Sequence, residues 1–214
     1  IPKSEFAWKN IQKKIAAHPF ASQVKDQPRV LTITQSTYDG VMYNVEDIKE
    51  MLDGKIDTLH FDEAWLPHAA FHDFYGDYHA IGADRQRCKE SMVFSTQSTH
   101  KLLAGLSQAS QILVQDSENR KLDRDVFNEA YLMHTSTSPQ YAIIASCDVA
   151  AAMMEEPGGT ALVEESIAEA LDFRRAMRKV DEEWGVDWWF KVWGPDDLSE
   201  EGIEEREAWM LKPG

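Results

Sequence analysis

The chain has 214 residues, 43% hydrophobic and 28% charged, enough for one large domain with a sizeable core or two small ones. A formal net charge of −15 argues against nucleic acid as a partner, because binding phosphates takes clustered positive charge. No apolar run approaches the roughly 18 residues of a membrane span. The two cysteines, Cys88 and Cys147, lack CxxC spacing and give neither a disulfide framework nor a zinc finger.

A reducing cytoplasm is the expected setting, with no membrane and no nucleic-acid partner. Ile1 stands where an initiating Met would, and reads as the start of a piece of something longer. The acidic stretches at Asp196–Asp197 and Glu200–Glu205 read as a solvated face.

In chain order, Arg29-Val-Leu-Thr-Ile-Thr34 is rich in β-branched residues and runs into the polar stretch Gln35 to Gly40, a buried strand and its turn. Asn44 offers a helix N-cap, Asp47 follows three residues on, and Gly54 offers a stop, so a short helix is expected over 45–53. Thr58–Phe61, Met92–Ser95 and Gln111–Val114 read as further strands. Helices are expected over Asp125–Met133 and Pro139–Glu155, joined by the polar link His134–Ser138. A longer helix over about 161–183 carries Val163, Ile167, Ala170, Leu171, Met177, Val180 and Trp184 as one buried stripe, with Gly185 as its end. A strand is expected through Trp188–Trp193 toward Gly194-Pro195. Alternating strands and helices predict an α/β fold with a mostly parallel sheet and flanking helices, in one domain. Ligands of such sheets bind beyond the carboxyl ends of the strands, where Asp62 and the Ser98–Lys101 segment would lie.

Lys101 precedes the small apolar run Leu102–Leu106, and a lysine desolvated there would become a neutral amine nucleophile. The hydroxyls of Ser98 and Thr99 and the nearby amides suit a phosphate. A lysine in a polar loop is, however, more often simply solvated. Asp62 shifts that balance, because a pyridoxal site needs a carboxylate against its ring nitrogen. The rival reading is a metal hydrolase. His68 and His72 stand four apart among His60, His79, Asp73 and Asp77, but Pro67 and the aromatic surroundings favour a loop with packed or solvated histidines. The tryptophans could form a binding surface, although packing accounts for residues such as Trp184.

Five collinear strings carry a resemblance across nearly the whole chain: Ser36–Gly40, His60-Phe-Asp-Glu-Ala-Trp65, Ser95–Ser110, Ala130–Pro139 and Ser166–Arg174. They resemble the bacterial pyridoxal-phosphate-dependent lysine, arginine and ornithine decarboxylases of the aspartate-aminotransferase fold. The resemblance implies part of a fold-type I major domain, its C-terminal portion, with pyridoxal 5′-phosphate as cofactor. It makes Lys101 the Schiff-base lysine and Asp62 the partner of the pyridine nitrogen. It gives Ser98 and His100 contacts to the phosphate, sets Ala64 against the cofactor ring and Trp65 at its edge, and puts His100 or Lys101 near the proton donor. Ser136, where the family commonly has threonine, would reach the neighbouring subunit's site, which implies a homodimer with shared active sites and allows higher oligomers.

The implied reaction is decarboxylation of a basic amino acid, lysine to cadaverine foremost, with arginine or ornithine as alternatives. The family's ring-stacking histidine, its phosphate turn and its C-terminal domain have no counterpart in these residues. The isolated chain is therefore expected to bind the cofactor weakly and to be inactive.

Overall fold

The computed structural model describes residues 1–23, 28–82, 85–194 and 210–211. They gather into two compact units: Ile1–Ala70 with Tyr75–Met153, and Phe71–Phe74 with the described residues from Met154 on.

The first unit is built on a four-stranded sheet in the order β1 (Val30–Thr34), β2 (Thr58–Asp62), β3 (Met92–Gln97), β4 (Gln111–Gln115). The first three strands are parallel, with Val30 opposite Thr58 and Thr58 opposite Met92, and β4 returns antiparallel to β3. All four lie where β-branched and apolar runs place them, and the last three extend a residue or two into the polar stretch that follows. The outcome is the mostly parallel α/β sheet that the alternation of elements predicts.

Two helices lie in the N-terminal part of this unit. α1 (Trp8–Ala17) has no counterpart among the expected elements, and α2 (Val45–Leu52) connects β1 to β2. The Asn44 side chain caps α2 by accepting from the Asp47 amide at 3.1 Å. Gly54, at φ +70°, takes the left-handed conformation that a residue with a Cβ rarely adopts. Val45, Ile48 and Leu52 are fully buried and pack with Ile33, Leu59, Phe61 and Val93 of the sheet. Burying side chains of this size stabilises the fold by about 1.5–3 kcal/mol each.

Lys49, only 3% exposed on the same helix, satisfies its ammonium on Glu46 Oε1 (2.9 Å) and on the carbonyls of Gln86 (3.0 Å) and Ala80 (3.3 Å). A buried charge is tolerable only with such partners. The Cys88 thiol, buried nearby, is pushed up to about 11 by desolvation, which leaves it little nucleophilic character.

The first unit also holds α3 (Thr99–Leu102), α4 (Arg124–His134) and α5 (Tyr141–Met153). Asp123 caps α4 through the amides of Asp125 and Val126, both at 3.1 Å. α5 is apolar on nearly every side, yet only Ala150 is buried.

In the second unit α6 (Gly158–Trp184) buries Val163, Ile167 and Leu171, one residue per turn. The expected stripe is shorter than its spacing implied. Ala170 and Trp184 are exposed, and Met177 and Val180 are half-buried. The strand expected over 188–193 is absent from the described residues. There the rings of Trp188 and Phe190 pack on each other at 5.5 Å, and the Trp193 carbonyl accepts from Arg174 at 2.9 Å. The acidic stretches Asp196–Asp197 and Glu200–Glu205, and Pro195, lie outside the described residues. Among the described residues no helix is long and apolar enough to cross a membrane.

Candidate active site

Three parallel strands direct their carboxyl ends toward one edge of the sheet, and the residues that follow β1, β2 and β3 meet there. A cleft of about 970 Å³ opens at this edge, lined among others by Tyr38, Asp62, Ala64, Trp65 and Lys101. Asp62 is the last residue of β2. Its Oδ1 accepts the Ala64 amide at 3.1 Å, an Asx turn that fixes the orientation of the carboxylate. No other bond to this carboxylate occurs among the described residues, so Oδ2 is left as a free acceptor on the cleft.

Trp65 is held at its edge by the Tyr38 ring, with centroids 5.0 Å apart and nearly perpendicular planes. The Lys101 ammonium sits over the Trp65 indole, 5.6 Å from the ring centroid, within cation–π range.

Lys101 lies on a one-turn helix, α3, rather than in a loop. Its amide bonds to the Ser98 carbonyl at 3.2 Å, and Ser98 makes no side-chain cap bond. Thr99 is 3% exposed and its Oγ1 is buried without a partner. Such an orphaned hydroxyl fits an absent polar group such as a phosphate.

His100 spends both its amide (3.1 Å) and its ring Nδ1 (2.7 Å) on the Ala109 carbonyl. A carbonyl only accepts, so Nδ1 carries a proton and Nε2 remains to contact a ligand. The α3 turn closes tightly on itself. A Cβ at Gly105 would stand 3.0 Å from the Thr99 carbonyl, tighter than nearly all real contacts, so only glycine fits without a shift. The desolvation expected around Lys101 is not found. Lys101 itself is exposed, as are Leu102 and Leu106, and only Leu103 is tucked in.

The cleft thus brings together four of the seven candidate residues: Asp62, Ala64, Trp65 and Lys101. Ser98 and His100 sit on the Lys101 turn but do not line the cleft. Ser136 lies in the exposed link between α4 and α5, where its hydroxyl pairs with the Ser138 backbone. The donor set suits pyridoxal phosphate: an amine, a free carboxylate oxygen, unspent hydroxyls and a flat aromatic wall.

Three of the four histidines of the metal reading make hydrogen bonds elsewhere, whereas His68 Nδ1 is buried without a partner. His60 bridges three strands through Thr32 (3.2 Å) and Thr96 (3.0 Å). His79 donates to the Leu66 carbonyl at 3.0 Å, and His72 accepts from the Phe74 amide at 3.1 Å. His68 lies on a 3-10 helix and is held below its ordinary pKa by burial first and by His79 second. Among the described residues no three metal-ligating side chains gather at one point.

Glu63 and Gln97 do not stand out in the sequence. Glu63 is fully buried, its Oε1 accepting from the Ala80 amide (2.6 Å) and its Oε2 from Ser95 Oγ (2.6 Å) and Gln97 Nε2 (3.0 Å). The signal that could find it is the strand alternation, since Leu59, Phe61 and Glu63 occupy one face.

Comparison with known proteins gives the chain's family. The pattern of the family described as Orn/Lys/Arg decarboxylase, major domain, matches residues 1–214. The chain is 50% identical to lysine decarboxylase LdcA of Pseudomonas aeruginosa over its whole length, and covers 28% of that protein. It is 42% identical to the biodegradative arginine decarboxylase of Escherichia coli, across 94% of the chain and 27% of that protein. It superposes on the solved lysine decarboxylase A from Pseudomonas aeruginosa with a TM-score of 0.85 at 48% identity, covering all of this chain and 28% of that one. The chain therefore spans little more than a quarter of the length of these relatives, and it belongs to the ornithine/lysine/arginine decarboxylase family, within the major domain.

Proposed function

We propose that the protein to which these residues belong decarboxylates a basic amino acid with pyridoxal 5′-phosphate, converting lysine to cadaverine and CO2. Residues 1–214 would be the C-terminal portion of a single cofactor-binding domain. The observation that carries this reading is the joint lining of one sheet-edge cleft by Lys101 and Asp62, in a chain of the decarboxylase family.

When bound, the cofactor supplies an electron sink for the pair released as the α-carboxylate leaves. Asp62 Oδ2 accepts the ring N–H and holds that proton in place. Lys101 Nζ would be the amine that holds the cofactor. Ser98 Oγ, unspent on capping, and His100 Nε2 hold the phosphate. Ala64 is small enough to let a ring lie against β2, and Trp65 walls the substrate side. Lys101 or His100 would stand near the donor of the proton that replaces CO2.

Lysine is favoured because the substrate named for the 50%-identical relative is lysine. Arginine is the alternative on the same grounds, from the 42%-identical relative, and ornithine follows from the family description. The partner is a second copy of the chain, with Ser136 reaching the neighbouring site, and larger assemblies of such dimers are compatible with it. What supports this is the exposed apolar surface of α4 and α5, including Met133 at 77% and Ile144 at 54%. The setting is the cytoplasm.

The test is CO2 release by the intact parent protein from lysine, arginine and ornithine, with and without added cofactor. Release that depends on the cofactor, with the highest kcat/KM on lysine, is expected. No release from any of the three would overturn the reading.

A further inference from the structure

The carboxyl edge of the sheet has two tiers on its inward face. Ile33, Leu59, Phe61 and Val93 form an apolar tier, and just beyond them Gln35, Glu63, Ser95 and Gln97 are all buried. Glu63 is the hub of the second tier. Its carboxylate gathers the Ala80 amide, the Ser95 hydroxyl and the Gln97 amide, and Gln97 Oε1 in turn accepts from Gln111 Nε2 at 2.7 Å. One connected set of hydrogen bonds therefore spans β2, β3 and β4 and takes in the Ala80 backbone.

Its position matters. Glu63 directly follows Asp62, and Gln97 directly precedes the Ser98–Lys101 turn. The backbone repeats the link, since the Glu63 amide donates to the Thr96 carbonyl at 2.9 Å. No cation offsets Glu63 among the described residues. A buried carboxylate served only by neutral donors is costly for a merely structural bond, and such groups persist where a fixed geometry is needed.

We propose that Glu63 is a positioning residue that locks the Lys101 turn to the Asp62 strand end through Ser95 and Gln97. It touches neither cofactor nor substrate; it fixes the separation between the two groups that do. This rests on the cofactor reading above.

The donor pattern supplies a selective test in the intact parent enzyme. In Glu63→Gln the side chain keeps an oxygen for the Ala80 amide but turns an NH2 toward the Gln97 NH2, two donors face to face. The double variant Glu63→Gln with Gln97→Glu makes the pattern complementary again. Its new amide on β2 donates to the new carboxylate on β3, which still accepts from Gln111. Four readouts are taken: the visible absorption of bound pyridoxal phosphate and its pH titration, the fraction of Lys101 trapped by borohydride, the melting temperature without cofactor, and kcat and KM.

The single variant is expected to shift the absorption titration and lower trapping. It should also drop kcat by on the order of 100-fold, the cost of an ångström-scale misplacement. KM should change little, any fall in cofactor-free melting should be too small to account for the loss of kcat, and the double variant should recover most of both losses. A single variant with parent-like absorption and kcat would overturn the proposal. So would a loss that tracks cofactor-free melting and is not recovered in the double variant. If the parent itself shows neither the absorption band nor an adduct at Lys101, the cofactor reading fails instead, and the two failures are thereby told apart.

Discussion

Replacing Asp62 by Asn keeps the oxygen that the Ala64 amide uses at 3.1 Å, but it puts an NH2 where the second oxygen stood and removes the negative charge. If Asp62 pairs with the ring nitrogen as proposed, kcat of the parent enzyme should fall about 100- to 1000-fold, as for other groups that stabilise developing charge. Steady-state CO2 release checks this, with melting temperature unchanged as the control. At this scale the sequence is informative wherever a string of residues carries its own identity: Asp62, Ala64, Trp65 and Lys101 stand out together and line one cleft. It misleads about the surroundings of Lys101, because apolar residues next in sequence need not pack on it, and Leu102 and Leu106 turn outward. Glu63 escapes notice because charged residues are usually solvated. Only its inward position in the Leu59, Phe61, Glu63 alternation marks it as a group that must have partners.

Among the elements, the connection from α2 to β3 depends on Asp53, whose carboxylate accepts the amides of Lys89 (2.7 Å), Glu90 (3.0 Å) and Ser91 (2.9 Å). Burial works to raise its pKa, but the amides of Ser91, Glu90 and Lys89 together outweigh burial and bring it below the ordinary 3.8. A carboxylate whose folded pKa is depressed contributes stability in full above its unfolded value, and loses it as pH falls through the folded one. Asp53→Ala should therefore lower the urea midpoint at pH 7. The gap to the parent should narrow only as pH falls below the ordinary carboxylate value of 3.8. A gap unchanged between pH 7 and pH 2 would count against the linkage. The helices α2 and α4 are legible because apolar patterning and caps agree there, as at Asn44 and Asp123, and the four strands and α6 because of their apolar patterning. The two-residue overreach at each end of α5, and the strand expected at 188–193, arise where hydrophobicity is high but has no clear period.

At the scale of the whole molecule, α4 and α5 present more apolar surface than a solitary chain ordinarily exposes, with Val126, Leu132, Tyr141 and Val149 all more than half exposed. Ile144→Asp would put a charge into a face that a second copy is proposed to cover. In the parent protein it should shift sedimentation toward monomer and lower activity with it, if Ser136 reaches the neighbouring site as proposed. Unchanged sedimentation would remove α5 from the interface. The chain covers 28% of its 50%-identical relative, so by itself it should hold pyridoxal phosphate weakly. The most direct measurement is borohydride reduction in the presence of pyridoxal phosphate, on the intact parent and on this chain, followed by peptide mapping. A stable adduct on Lys101 in the parent, and little or none in the isolated 214 residues, is the expected result. An adduct on another lysine, or none in the parent, would contradict the decarboxylase mechanism built on Lys101 and Asp62.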